Sequence, residues 1–258
     1  MIANYHAHTW RCGHASGTER EYIEEAIQGG IRILGFSDHA PMPFRDGYVS
    51  PVRMRPQQLE DYISTLEDLR KEYAGQITLH IGLEAEYYPA LFDDFLAFIR
   101  DYPIEYLIHA QHYAGNEIHE KYTGYPTANV SDLIRYVDQT IQAMDRGCYL
   151  YLAHPDLIHF TGDRDIYCRE MRRLCEHAKK LDLPLEINFL GISDHRNYPD
   201  QVFWEIAGDV GNTVVFGADA HHTGMVVNPQ AEKTAVSLMK TCGLCSFLPD
   251  LEDRLRKC

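Results

Sequence analysis

No stretch of this 258-residue sequence approaches the run of about 20 apolar residues that crosses a bilayer. Its start, MIANYHAHTW, carries no basic segment followed by an apolar run, so no signal peptide is expected and the cytoplasm is the expected compartment. Cysteines are few. There are seven, an odd number without the spacing of a disulfide framework, which points to free thiols in a reducing compartment. Cys242 and Cys245 form a Cys-x-x-Cys, but no second pair completes a zinc site and no strand-before-helix setting suits a redox motif. They read as helix-packing residues. Positive charge is also scarce: 24 Lys and Arg stand against 38 Asp and Glu, with no basic run. A net charge of −14 repels nucleic acid and anionic membranes, so neither is an expected partner. It would repel a phosphorylated small molecule too, unless something cationic lies within the site, and metal ions are the natural candidate. No linker, low-complexity tract or internal sequence repeat divides the chain, so residues 1–258 read as one domain. Oligomeric state is left open.

What is present is an alternation of element types. Short apolar runs recur at Ile2 to Tyr5, Ile31 to Phe36, Ile77 to Ile81, Tyr106 to Ile108, Tyr149 to Ala153, Leu185 to Asn188 and Thr213 to Phe216. Each suits a strand buried on both faces. Between them lie segments of helical period, the first opened by a Thr18–Glu21 capping box and stopped at Gly29-Gly30, the second opened by Pro56. The others run roughly over 90–100, 130–146, 167–181, 199–210 and 229–242. Strands alternating with such helices mean βαβ units and a parallel sheet. Seven units predict closure into a (β/α)7 barrel, with an open sheet as the alternative.

The polar residues obey a positional rule on that frame. His6 and His8 follow the first strand, Asp38 and His39 the second, Glu84 the third, His109 and His112 the fourth, His154 the fifth, and Asp219 and His221 the seventh. His14 sits in the first loop. The carboxyl ends of barrel strands open onto one face, so these residues converge in space. Imidazole and carboxylate together hold zinc, manganese or iron, and a carboxylate can bridge two ions. Two such ions can activate a water and stabilise both oxygens of a phosphoryl displacement. His6 and His8, two residues apart on a strand, point to the same side. His109 is expected in the barrel wall, so His112 is preferred as a ligand; His80, His119, His159 and His177 read as packed or surface histidines.

The motifs YHAHTWRCGHASGT, GFSDHA, GLEAEY, QHY, LAHPDL and GADAHH together resemble the polymerase and histidinol phosphatase (PHP) superfamily, and their order resembles its histidinol-phosphatase branch. The resemblance covers residues 2 to about 222. It implies a distorted seven-stranded TIM-like barrel binding two or three divalent metal ions. Carried over, it implies that His6, His8, Glu84 and Asp219 hold a first metal. Glu84 bridges to a second completed by His112 and His154, and His14, His39 and His221 hold a third. Glu84, Asp219 and His221 are then the residues on which catalysis turns, and Asp38 orients an imidazole from behind the ligands. The strand-6 segment EINFLGISDHRNYP departs from relatives that carry an arginine at the position of Ser193; the phosphate role passes to Arg196, with Arg164 as second candidate. Glu86 or Glu117 is expected to pair with a substrate amine.

The implied activity is hydrolysis of a phosphate monoester, L-histidinol phosphate, to the alcohol and phosphate. The rivals are a related enzyme acting on a nucleotide, a phosphotyrosine or an oligonucleotide end, and a barrel that binds metal without turnover.

Overall fold

The computed structural model describes residues 1–45 and 47–255. Eight parallel strands form one sheet in chain order: β1 (Ala3–Asn4), β2 (Ile33–His39), β3 (Thr78–Ala85), β4 (Tyr106–His109), β5 (Tyr149–Leu152), β6 (Leu185–Asn188), β7 (Thr213–Gly217) and β8 (Ser246–Phe247). The sheet curls until its ends meet. Beyond β1 and β7 the backbone bridges at Ala7 and Ala220, with His8 N–H donating to Ala220 O at 2.9 Å and Ala220 N–H to His6 O at 3.3 Å. At the opposite end the two-residue β8 pairs with β7 instead. The barrel is thus pinched shut at its carboxyl mouth and splayed at its base. It is distorted again between β5 and β6, which share a single register pair, Leu152 with Leu185.

The helices are α1 (Glu19–Gln28), α2 (Leu59–Glu72), α3 (Phe92–Ile99), α4 (Val130–Met144), α5 (Arg164–Lys180), α6 (Phe189–Ser193), α7 (Gln201–Val210) and α8 (Pro229–Thr241). The expected Thr18–Glu21 capping box opens α1. Pro56 starts a 3-10 turn that leads into α2. Helix α5 begins earlier than its apolar period suggested, because Asp163 accepts from the Asp165 and Ile166 amides and caps it. The apolar helix faces cover the outside of the sheet in two buried clusters. None of the described helices is long and apolar enough to cross a membrane.

Tyrosines fill the barrel itself. Tyr106 reaches across the lumen until its hydroxyl lies 2.9 Å from Tyr5 O and 3.1 Å from Phe36 O. Glycine opposite it is obligatory: a Cβ on Gly35 would sit 2.3 Å from the Tyr106 hydroxyl, and one on Gly82 2.4 Å from the ring. With Tyr5 and Tyr151, Tyr106 forms a packed floor, and the polar residues stand above it.

The six described cysteines are unpaired, and Cys258 lies outside the described residues. Cys242 is buried just past α8, and Cys245 is exposed.

Candidate metal centre

The strands deliver their side chains to the mouth in a fixed way. In the β2–β3 ladder His39 pairs with Glu84, so these two residues lie within the strands rather than after them. The Ala7–Ala220 bridge fixes the backbone between His6 and His8. His154 and Asp219 both adopt positive φ, 29° and 49°. Non-glycine residues rarely take that conformation, and such strain concentrates where a side chain must be aimed.

Glu84 lies at the middle, almost fully buried. Its Oε1 is 3.1 Å from His154 Nε2, 3.3 Å from His6 Nε2 and 4.0 Å from His112 Nε2, while its Oε2 is 2.8 Å from His39 Nδ1. Asp219 Oδ1 is 3.0 Å from His8 Nε2 and 3.4 Å from His6 Nε2. Among the described residues, three groups of donor atoms lie within 4.8 Å of one another and reproduce much of the expected ligand sets: His6, His8 and Asp219; His6, Glu84 and His154; His14, His39 and His221. A fourth, His8 with Cys12 and His221, adds a buried thiol that the sequence reading did not include.

The donor set fits a cation. His14 Nδ1 lies 3.1 Å from Cys12 O, and His221 Nδ1 lies 3.0 Å from Asp219 O. A carbonyl only accepts, so both rings carry their hydrogen on Nδ1 and present a lone pair at Nε2. Those two Nε2 atoms face each other at 3.1 Å. Either a ring gains a second proton or the two share a cation. Burial and the neighbouring His8 oppose the proton, depressing His14 and pushing His221 down to about 3. A shared divalent ion satisfies both lone pairs. Deeper in, His6 Nε2 is buried without a hydrogen-bond partner.

Electrostatics point the same way. Burial disfavours the charge of Glu84, yet His39, His112 and His6 hold it well below the usual carboxylate range. Burial likewise disfavours a charge on His8, but hydrogen bonds to Asp219 and Asp38 raise it to about 9. A negative potential that draws protons to buried imidazoles draws a divalent cation more strongly.

Behind the ligands stands a ring of orienting carboxylates. Asp38 lies 3.5 Å from His8 Nδ1 and is bonded by the Thr9 hydroxyl. It therefore backs His8, from the neighbouring strand. Glu86 accepts from His112 Nδ1 at 2.9 Å and pairs with Arg53 at 2.9 Å. Glu117 also binds Arg53, at 2.5 Å. Both carboxylates are engaged by a buried arginine, and Glu86 also lines the cavity over the cluster. The sequence reading placed β6 correctly but gave no role to its Glu186 and Asn188. Glu186 accepts from His6 Nδ1 at 2.7 Å, and Asn188 donates to Asp219 at 3.1 Å.

A cavity of about 520 Å³ opens over the cluster, lined among others by His14, His112, Asp219, Arg196 and Tyr122. Arg196 faces it, with Nη1 3.1 Å from the Tyr198 hydroxyl and Nη2 3.1 Å from Asp194. Arg164 does not line it. Its guanidinium binds Asp200 at 2.5 Å and lies over the Tyr167 ring, at the exposed start of α5. His109 packs in the wall against Tyr149, as expected, and His80 and His177 pair with Glu105 and Asp145. His222 is exposed at the cavity rim.

Residues 4–189 match the family model described as the PHP domain. A probable histidinol-phosphatase of Deinococcus radiodurans is 30% identical over 233 residues, covering 87% of this chain and 88% of that protein. One from Schizosaccharomyces pombe is 24% identical, covering 96% of this chain and 89% of its own length. A histidinol phosphate phosphatase from Lactococcus lactis, solved with zinc, L-histidinol and phosphate, superposes with a TM-score of 0.76 at 18% identity, covering 99% of both chains. The match spans most of this chain and includes β1 through β6, so the chain belongs to the PHP domain family.

Proposed function

We propose that the chain is a cytoplasmic, metal-dependent phosphatase that hydrolyses L-histidinol phosphate to L-histidinol and phosphate. The observation that carries the chemistry is the convergence of seven imidazoles with Glu84 and Asp219 at one barrel mouth, with lone pairs facing one another at His14 and His221. The substrate follows the names of the relatives matched along nearly the whole chain.

In this reading His6, His8, Glu84 and Asp219 hold one ion, Glu84, His112 and His154 a second, and His14, His39 and His221 a third. Zinc, manganese and iron all suit such ligands. Bound divalent ions supply positive charge to the phosphoryl oxygens and bring water to a reactive protonation state near neutral pH. Glu84 is common to two sets and keeps them at fixed spacing. Arg196 grips the phosphate from the cavity side, its planar fork donating paired hydrogen bonds while Tyr198 and Asp194 hold it in place. Buried Arg53 and Glu86 keep the His112 ring turned toward Glu84.

The test is turnover on a panel of phosphomonoesters, with the Glu84→Gln variant as control. Histidinol phosphate should lead the panel in kcat/KM, and Glu84→Gln should lose at least about 100-fold while retaining its far-ultraviolet spectrum. A nucleotide or phosphotyrosine leading the panel would overturn the substrate. Wild-type turnover in Glu84→Gln would overturn the metal chemistry.

A further inference from the structure

Strand β6 contributes no ligand to these sets, yet it passes directly behind them. Its Glu186 is fully buried. The carboxylate receives four donors: His6 Nδ1 at 2.7 Å and the Tyr151 hydroxyl at 3.4 Å on Oε1, His154 N–H at 3.0 Å and Asn188 Nδ2 at 2.9 Å on Oε2. Asn188 carries the connection onward to Asp219 Oδ2 at 3.1 Å. Donors from the ends of β1, β5 and β6 thus meet on one acceptor, and Asn188 links it to the end of β7.

We propose that Glu186 is the positioning residue of the metal centre. Its carboxylate fixes His6 as the Nδ1–H tautomer so that Nε2 faces the ions, and it anchors His154 and, through Asn188, Asp219.

The chemistry leaves little choice. A carboxylate accepts only, so the hydrogen between it and His6 belongs to the imidazole, and the lone pair is left on Nε2. That atom is the buried, unpartnered one aimed at Glu84 and Asp219. The His154 backbone, at φ 29°, is held in its unfavourable conformation by the same carboxylate. Space is reserved for it as well. A Cβ on Gly217 of β7 would lie 1.7 Å from Glu186 Oε1, so a glycine beside it is required.

Glutamine cannot replace this residue. With its oxygen toward His6, its amide nitrogen meets two N–H donors, from His154 and Asn188. Flipped, its NH2 faces His6 and drives the hydrogen to Nε2, where the ion should bind. The inference rests on the metal reading above but not on the substrate.

The test is zinc affinity of the full chain, measured by competition with a chromophoric chelator. Glu186→Gln should weaken the tightest zinc by about 10- to 100-fold, the range typical of groups that orient a ligand. Gly217→Ala, which leaves the carboxylate in place chemically but crowds it off His6, should weaken it in the same direction. In the zinc-loaded wild-type protein, nitrogen-resolved NMR of the His6 ring should place the proton on Nδ1, and this reading needs no variant to fold. Wild-type affinity in both folded variants, or a proton on His6 Nε2, would overturn the proposal. A wild-type chain that binds no zinc, manganese or iron would instead overturn the metal reading itself.

Discussion

His14 and His221 show how single residues define this site. Each donates its Nδ1 hydrogen to a nearby carbonyl, and the two Nε2 atoms are left opposed at 3.1 Å. The arginines divide as sharply. Arg196 opens onto the cavity, whereas Arg164 is engaged by Asp200 and Tyr167 at the surface. Replacing Arg196 with Ala should lower kcat/KM for the phosphomonoester by about 100-fold, since a paired, charge-assisted contact to phosphate is lost. Arg164→Ala should stay within about twofold. Steady-state kinetics on both variants check this, and the reverse ranking would contradict it. From sequence Arg196 ranked first through the strand-6 resemblance and Arg164 second, since each follows a strand. What separates them is which neighbour captures the guanidinium, and spacing does not carry that information.

At the scale of elements, the strand ends and strand β6 itself were legible, and the role of Glu186 on β6 was not. His, Asp and Glu recurring after apolar runs form a pattern that packing does not require, so it reads through as chemistry. Glu186 lies within the apolar run LEIN, and its partner His6 is 180 residues away. Nothing local marks it. Helix α6 is one turn of FLGIS and β8 only two residues, both too short for periodicity to reveal. The β3–β4 connection offers an independent check on how loops are tied to the sheet. Burial opposes the charge of Glu105, but hydrogen bonds from His80 and the Ile81 N–H, with Arg70 alongside, hold its carboxyl below the usual range. Its stabilising contribution is therefore present above the ordinary carboxylate range and is lost as pH falls through the depressed folded value. Glu105→Gln should be less stable by about 1 kcal/mol near neutrality, with the gap closing in acid. Thermal unfolding followed against pH measures it, and a gap independent of pH would contradict the assignment.

Across the whole molecule, one device organises the rest. The base of the barrel is packed with tyrosines, and its mouth is drawn shut where β1 and β7 meet at Ala7 and Ala220. That closure brings His6 and His8, near the amino terminus, against Asp219 and His221, more than two hundred residues later. Buried carboxylates and imidazoles in such number repel or orphan one another until cations arrive, so the fold and the metal are expected to be coupled. The most direct measurement is a zinc titration of chelator-treated protein, following histidinol phosphate hydrolysis and thermal unfolding on the same samples. The account predicts negligible turnover and a lowered Tm without metal, both restored together as more than one ion binds per chain. Full turnover in protein shown to be free of metal would contradict it.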